Sequence, residues 1–306
     1  MTTERPLLVV ITGPTAVGKT SLAVSLATRF RTDIISADSR QFYHEMSIGT
    51  AVPTMEERAG IRHHFMGHLS VHQPWNVSRF ENEVIRLLPQ LFEKNPVVFL
   101  VGGSGLYIDA VCRGLDELPD PDPEIRETLR QRLVLEGIGA LQRELAMLDP
   151  DFYRQVDRAN PARLIRAIEV CRITGIPYSC LRTAKTTPRD FRTLTIGLEL
   201  PREELFNRIN RRVDAMMVAG LYAEAEHLFP LRHLNALQTV GYRELFDHFE
   251  GKCDLPSAVE KIKTNTRRYA KRQVTWLMRD PSVEWHDPGS GEEISKRIRS
   301  HAGKNS

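Results

Sequence analysis

Runs of consecutive apolar residues recur along the first third of the chain, at Leu7–Ile11, Ile34-Ile35 and Val97–Val101. Runs without polar alternation predict strands buried on both faces, as in a parallel sheet. Helix-compatible segments such as SLAVSLATRF at 21–30 separate them, and that alternation predicts a doubly wound α/β core. The texture changes at Leu118-Pro-Asp-Pro-Asp-Pro123, where the prolines let neither strand nor helix continue. From Glu124 to about Thr183 only helical segments follow, with stops at Gly137, Pro150, Pro161 and Gly175. Strand texture returns at Thr193–Glu199, and the stretch 201–280 is again helical. Residues 1–115 and 191–290 therefore read as one α/β core, 116–190 as an all-helical insertion, and 291–306 as a disordered tail.

Composition narrows the class. With 306 residues, 41% hydrophobic and 26% charged, the chain has the make-up of a soluble globular protein. No apolar run is long enough to span a bilayer. The first residues, Met-Thr-Thr-Glu-Arg-Pro, form no charged n-region with an apolar h-region, so no secretion signal is expected. Cysteines at 112, 171, 180 and 253 make no CxxC pair and suit a reducing cytoplasm. The net charge of +3 is too small to imply nucleic acid, but its distribution is uneven. Lys261 to Arg279 holds seven basic residues and no acidic one. On a helix, Lys261, Arg268, Arg272 and Arg279 oppose an inward stripe of Ile262, Thr266, Ala270 and Leu277, with Arg267 and Lys271 on the shoulder. A one-sign face points to an RNA or DNA backbone; a solvated surface is the alternative.

The chemistry begins at Gly13-Pro14-Thr15-Ala16-Val17-Gly18-Lys19-Thr20, which fits GxxxxGK[ST] between an apolar run and a helical one. The glycines let successive backbone N–H groups and a helix N-terminus face a polyphosphate. Lys19 is expected to reach the distal phosphate, and the Thr20 hydroxyl to ligate a phosphate-bound Mg²⁺. The fold class is thus a P-loop NTPase-like parallel sheet with helices on both faces, plus the helical insertion.

Asp38 lies at the carboxyl end of the second strand, where ligands bind in open α/β sheets. It reads as a metal-side carboxylate, as a general base, or as a helix N-cap. Ser39, Arg40 and Gln41 add polar groups beside it and favour a site. The third strand ends in Val101-Gly-Gly-Ser-Gly-Leu-Tyr107, where Ser104 can bond a phosphate oxygen or simply occupy a tight turn. After Pro201, Leu205, Ile209, Val213 and Met216 share a helix face, and Arg212 falls within about 20° of Leu205. An arginine there needs an anion, either a phosphate or a buried carboxylate, and Arg208 one turn earlier shares the choice. His63, His64 and His68 lack the further ligands of a zinc set and read as structural.

Together these segments resemble the tRNA dimethylallyltransferases, the tRNA isopentenyltransferase family, over nearly the whole chain. The resemblance runs through GPTAVGKT, ISADSRQFY, MSIGTAVP, HHF, VGGSGLY, DPEIR, NPARLIRAIEV, QTVGYRE and RRYAKRQVTWLMR. Ser104 stands where that family usually has threonine, and no zinc-finger extension is present, so the likeness is to the bacterial type.

The resemblance implies transfer of a dimethylallyl group from dimethylallyl diphosphate to N6 of adenine 37 in tRNA. Asp38 would then be the base, with Lys19, Ser104, Arg212 and Mg²⁺ on Thr20 stabilising the leaving diphosphate. It also implies tRNA contacts from Asp38, Ser39, Arg40, Gln41, Ser104 and Arg126, and from Ala162, Arg163, Leu164, Ile165 and Arg166. Gln238, Thr239, Val240, Gly241, Tyr242, Arg243, Lys271 and Arg272 complete that set. Arg163 and Arg166, three apart on one helix, are expected to grip the anticodon stem. A cytoplasmic monomer without a membrane partner follows. A small-molecule kinase and an RNA-binding NTPase switch, both taking ATP on the same loop, are the alternatives.

Overall fold

The computed structural model describes residues 5–183 and 186–303. Six strands form one sheet: β1 (Leu7–Thr12), β2 (Ile34–Ser36), β3 (His63–His64), β4 (Val97–Gly102), β5 (Arg192–Leu198) and β6 (Glu284–His286). Their order is β3-β2-β4-β1-β5-β6, and every pairing is parallel. β1 shows why the apolar runs are unbroken. Leu8 and Val10 face one apolar layer, while Leu7, Val9 and Ile11 face another, and all five are buried. Both sheet faces are covered, so apolar residues fill these five positions, and the polar Thr12 comes only at the strand's end.

The helices before the insertion are α1 (Lys19–Phe30), α2 (Val77–Lys94) and α3 (Gly105–Arg113). The insertion supplies α4 (Pro123–Glu136), α5 (Ile138–Leu148), α6 (Pro150–Gln155), α7 (Pro161–Thr174) and α8 (Tyr178–Leu181). After β5 come α9 (Arg202–Val218), α10 (Leu221–Leu228), α11 (Tyr242–Phe249), α12 (Leu255–Leu277) and, beyond β6, α13 (Gly291–Ala302). The layer that receives Leu8 and Val10 draws Val84 from α2, Ile108 from α3 and Leu245 from α11. The opposite layer takes Leu26 from α1, Ile209 from α9 and Ile298 from α13.

The chain divides into two compact units, one of them Gly114–Thr187 and the other built from the segments on either side. The described elements of the smaller unit are all helices, and it has its own core around Leu129, Leu141, Leu145, Leu164 and Ile168. Its breaks are helix caps. Asp122 accepts the amides of Glu124 and Ile125, Asp149 accepts that of Phe152, and Asn160 accepts that of Arg163. Proline follows each cap at the first helical position, and Gly175 ends α7 with φ 68°.

Two expectations need correction. The sequence predicts a disordered tail from 291, yet α13 runs over Gly291–Ala302 and buries Ile294 and Ile298 completely. Two isoleucines four apart suffice to seat a helix whose remaining residues are mostly polar; residues 304–306 lie outside the described part. The edge strands β3 and β6 were not foreseen. Each is two or three residues long and half-exposed, too short and too polar to register as an apolar run.

Candidate active site

Strand β1 delivers the chain into the phosphate loop, and its glycines are there for steric reasons. Gly13 has φ 146°, and a Cβ at that position would lie 2.6 Å from the Leu198 carbonyl oxygen. Gly18, at φ 112°, caps α1, so the loop ends at a helix N-terminus with free amides. Lys19 folds back over the loop, donating to the carbonyls of Gly13 at 3.0 Å and Pro14 at 2.8 Å. Burial lowers its pKa to about 8, against a raising effect from Asp38 and a smaller lowering one from Arg212. The loop therefore holds a cation under tension, readily stabilised by an incoming anion.

Arg212 comes from α9, whose buried stripe is Leu205, Ile209 and Val213. Its Nη1 lies 3.5 Å from Thr15 Oγ1. Burial lowers its pKa, and Asp38 and Glu57 oppose that from a distance. No carboxylate reaches it at ion-pair distance among the described residues, so the buried salt bridge allowed by the sequence is absent. Arg208 differs: it pairs with Glu204 at 2.8 Å.

At the end of β2, Asp38 sits in a turn and not at a helix N-terminus. Its Oδ1 accepts the Arg40 amide at 3.1 Å, and no helix begins there. The capping reading thus fails. One carboxylate oxygen is left for other work, close enough to act electrostatically on Lys19, Arg212 and Tyr269.

The Ser104 loop packs directly on this turn. A Cβ on Gly102 would lie 2.2 Å from the Ala37 carbonyl oxygen. Ser104 Oγ accepts the Ser39 amide at 3.1 Å and donates to Ser39 Oγ at 3.2 Å. Ser104 is therefore more than a turn residue, for it joins the ends of β2 and β4. Beside it stands Tyr269 of α12, whose pKa burial raises to about 12. Arg40 donates to the carbonyls of Asn235 and Ala236 at 2.9 and 3.0 Å. Gln41 Nε2 donates to the carbonyls of Thr50 and Ala51 at 3.1 and 3.2 Å.

Helix α12 carries the basic face. Lys261, Arg268, Lys271, Arg272 and Arg279 are exposed, whereas Arg267 turns inward and donates to Asn210 at 2.6 Å. Thr266 was placed in the inward stripe but is only half-buried; the buried polar residue of that face is Gln273. Its Oε1 accepts the Thr15 amide and its Nε2 donates to the Gly103 carbonyl, each at 2.9 Å. Sequence reasoning missed it, although a glutamine one turn after Tyr269 on an inward-facing helix was the available signal.

The residues implied for tRNA contact fare unevenly. Gln238 and Arg243 are exposed, with Thr239 and Val240 half-buried between them, and Gly241 has φ 100°. Tyr242 is fully buried, its hydroxyl donating to Glu224 at 2.6 Å, so its side chain is structural. Glu224 also accepts the amides of Ile48 and Gly49. Tyr242 thus serves the loop of the MSIGTAVP segment and not the surface.

In the helical unit, Ala162 and Arg163 are exposed, while Leu164 and Ile165 belong to its core. Arg166 and Arg126 both grip Glu169, which is wholly buried. Arg126 Nε and Nη2 donate to it at 2.7 and 3.0 Å, and Arg166 Nη1 at 2.6 Å. Of the two arginines expected to grip the anticodon stem, Arg166 is thus held by Glu169, whereas Arg163 is exposed with no bonded partner among the described residues.

The three histidines are accounted for structurally. His64 Nε2 lies 2.9 Å from Asp33, His63 Nδ1 lies 3.0 Å from the Ile61 carbonyl, and His68 packs edge-on to Phe42, Phe65 and Trp75. No group of three His, Cys, Asp or Glu residues suited to a metal occurs among the described residues. The Thr20 hydroxyl has no hydrogen-bond partner among them. That donor set fits a Mg²⁺ that arrives on phosphate oxygens and borrows one hydroxyl, not an all-protein cage.

A parallel α/β sheet with a glycine loop, an inward lysine and a threonine at a helix N-terminus defines a phosphate-loop protein. Within that class the comparisons are specific. A family model described as IPP transferase matches residues 41–280, so the chain belongs to the IPP transferase family. It is 52% identical over 291 residues to the tRNA dimethylallyltransferase of Christiangramia forsetii, covering 95% of each chain. It is 47% identical to tRNA dimethylallyltransferase 1 of Bacteroides thetaiotaomicron, covering 96% of each. Among solved structures it is similar to the tRNA isopentenylpyrophosphate transferase of Bacillus halodurans, with TM-score 0.72, 35% identity, and 98% and 97% of the two chains covered. A eukaryotic dimethylallyltransferase acting on tRNA gives TM-score 0.77 at 26% identity, with 98% of this chain and 79% of that one covered.

Proposed function

We propose that this protein transfers a dimethylallyl group from dimethylallyl diphosphate to N6 of the adenine at position 37 of tRNA. The observation that carries this reading is the arrangement of charge. Lys19 and Arg212 stand at the phosphate loop with no anion at ion-pair distance among the described residues, and a turn-held carboxylate, Asp38, lies within electrostatic reach of both. The loop takes the diphosphate, and the Ser39–Ser104 junction beside Asp38 takes the base.

As N6 bonds to the allylic C1, the C1–O bond to diphosphate breaks and the electron pair leaves with the phosphate oxygen. The exocyclic amine, conjugated to its ring, is a weak nucleophile, and Asp38 accepts the proton it sheds. Lys19, Arg212 and the loop amides hold the charge that develops on the departing oxygen. The Thr20 hydroxyl would help hold a Mg²⁺ carried in by the diphosphate, which would supply further charge neutralisation. The adenine must leave its stack to reach the carboxylate. The exposed cations of α12 and Arg163 hold the RNA backbone. The protein acts in the cytoplasm, as a monomer.

Incubation with labelled dimethylallyl diphosphate and tRNA, followed by nucleoside analysis, tests the reading. Label at N6 of position 37 is the expected result. Hydrolysis of ATP with no label on RNA would instead establish a kinase or an NTPase switch.

A further inference from the structure

Gln273 is a buried side-chain amide, 7% exposed, whose two ends reach different loops. Its Oε1 accepts the Thr15 amide of the phosphate loop at 2.9 Å. Its Nε2 donates to the carbonyl of Gly103, the residue before Ser104, also at 2.9 Å. The space it occupies exists because residue 103 has no side chain: a Cβ there would lie 2.1 Å from Nε2. One turn along α12, Trp276 covers Gly105 in the same manner, where a Cβ would lie 2.2 Å from the indole ring. Trp276 then donates to Asp109 at 3.1 Å. Among the described residues, Gln273 is the side chain that hydrogen-bonds to both loops.

The two loops carry opposite reactants, a point that rests on the function proposed above. The phosphate loop holds the donor, and Thr15 is also the residue whose hydroxyl Arg212 approaches at 3.5 Å. The Gly103–Ser104 loop, bonded through Ser104 to Ser39, frames the acceptor beside Asp38. Transfer needs C1 and N6 at near-attack distance, and a misplacement of about 1 Å lowers a rate by roughly a hundredfold. We propose that Gln273 is a positioning residue that sets the spacing of the donor and acceptor loops. It acts through two backbone groups and touches neither reactant. A buried amide with both ends satisfied is rigid, and no other side chain among the described residues hydrogen-bonds to its two partners.

The test is single-turnover and steady-state transfer by Gln273→Met and Gln273→Glu. Methionine fills nearly the same volume but neither accepts nor donates strongly. Glutamate still accepts from Thr15 but turns an oxygen toward the Gly103 carbonyl. Both variants should lose roughly thirty- to a hundredfold in the transfer step at saturation. KM for donor and for tRNA should stay within about twofold, the signature of lost positioning and not of lost binding. Gly103→Ala, which crowds the same amide from the other side, should give the same split and serves if a Gln273 variant does not fold. A full transfer rate in Gln273→Met would show that packing alone matters and overturn the proposal, as would a loss confined to donor KM. Absence of transfer in the wild-type protein would overturn the function itself, and with it this role.

Discussion

The phosphate-loop end of the sheet and the helical unit at Gly114–Thr187 use arginine and lysine in opposite ways. In the helical unit the protein provides the anion. Glu169, fully buried, takes Arg126 and Arg166 together with the Asp122 amide, and Glu144 takes Arg132 and Arg172. At the phosphate loop no carboxylate among the described residues lies at ion-pair distance from Lys19 or Arg212, and burial lowers the pKa of both. A fold that leaves buried cations unpaired loses stability there. Such a loss persists where a ligand is to bring the missing charge, so unpaired buried cations mark the site and paired ones mark scaffold.

If that distinction holds, the largest effect on folding comes from the scaffold. Glu169→Ala strands Arg126 and Arg166 and should lower stability by about 3 kcal/mol, as expected when one partner of a buried pair is removed. Thermal or urea unfolding measures it. Binding of inorganic diphosphate should not change, and a drop in that affinity would break the contrast. Asp38→Asn should do the reverse. Transfer falls roughly a hundredfold or more while diphosphate and tRNA still bind and stability stays near wild type. Near-normal turnover would remove Asp38 from the mechanism.

The pH dependence of Lys19 sharpens the comparison. Its folded pKa is about 8 against an ordinary 10.5, so the ligand-free protein releases this proton as pH rises through 8. Diphosphate affinity should then fall by up to about tenfold per pH unit above 8, because the anion needs the charged form. Stability moves the other way. Between pH 8 and 10.5 the unfolded chain holds a proton that the folded chain has given up, so this group's contribution favours folding as pH rises. Diphosphate titrations from pH 7 to 9.5 on wild type and Lys19→Gln separate the two. A flat affinity profile in wild type would mean that Lys19 is not the cation the anion meets.

These differences explain how much could be read from the residues alone. The sheet was legible because burial on both faces keeps Leu7–Ile11 and Val97–Val101 uniformly apolar, and the phosphate loop because its spacing is set by backbone geometry. The insertion's helices were legible because their caps, Asp122, Asp149, Asn160 and Gly175, are local. What escaped reading was long-range pairing. Arg166 has Glu169 three residues on in its own helix, a local signal that Arg163 lacks, but that Glu169 is buried and also holds Arg126 of another helix is a long-range fact. Tyr242 looked like a surface motif residue until Glu224 was found beneath it. Gln273 spans 258 positions in sequence to reach Thr15, a distance no helical wheel conveys. The helix α13 was hidden for the opposite reason, since only two apolar residues seat it.

The smallest effect tests the same rule within one helix. Arg163 and Arg166 lie three residues apart on α7 and differ only in what they meet: Arg163 is exposed and free, while Arg166 is bonded to Glu169 and to the Pro119 carbonyl at 2.7 Å. If free cations face ligands, Arg163→Glu should weaken tRNA binding several-fold. It should also flatten the salt dependence by about one unit of slope, with unfolding unchanged. Arg166→Gln should instead lower stability and leave the slope of the salt plot nearly intact, because its charge is already matched inside the fold. Filter binding of tRNA across a range of salt concentrations, alongside urea unfolding of each variant, reads both quantities. Equal salt slopes for wild type and Arg163→Glu would mean that an unpaired surface arginine here is only solvated, and the rule would then hold for buried cations alone.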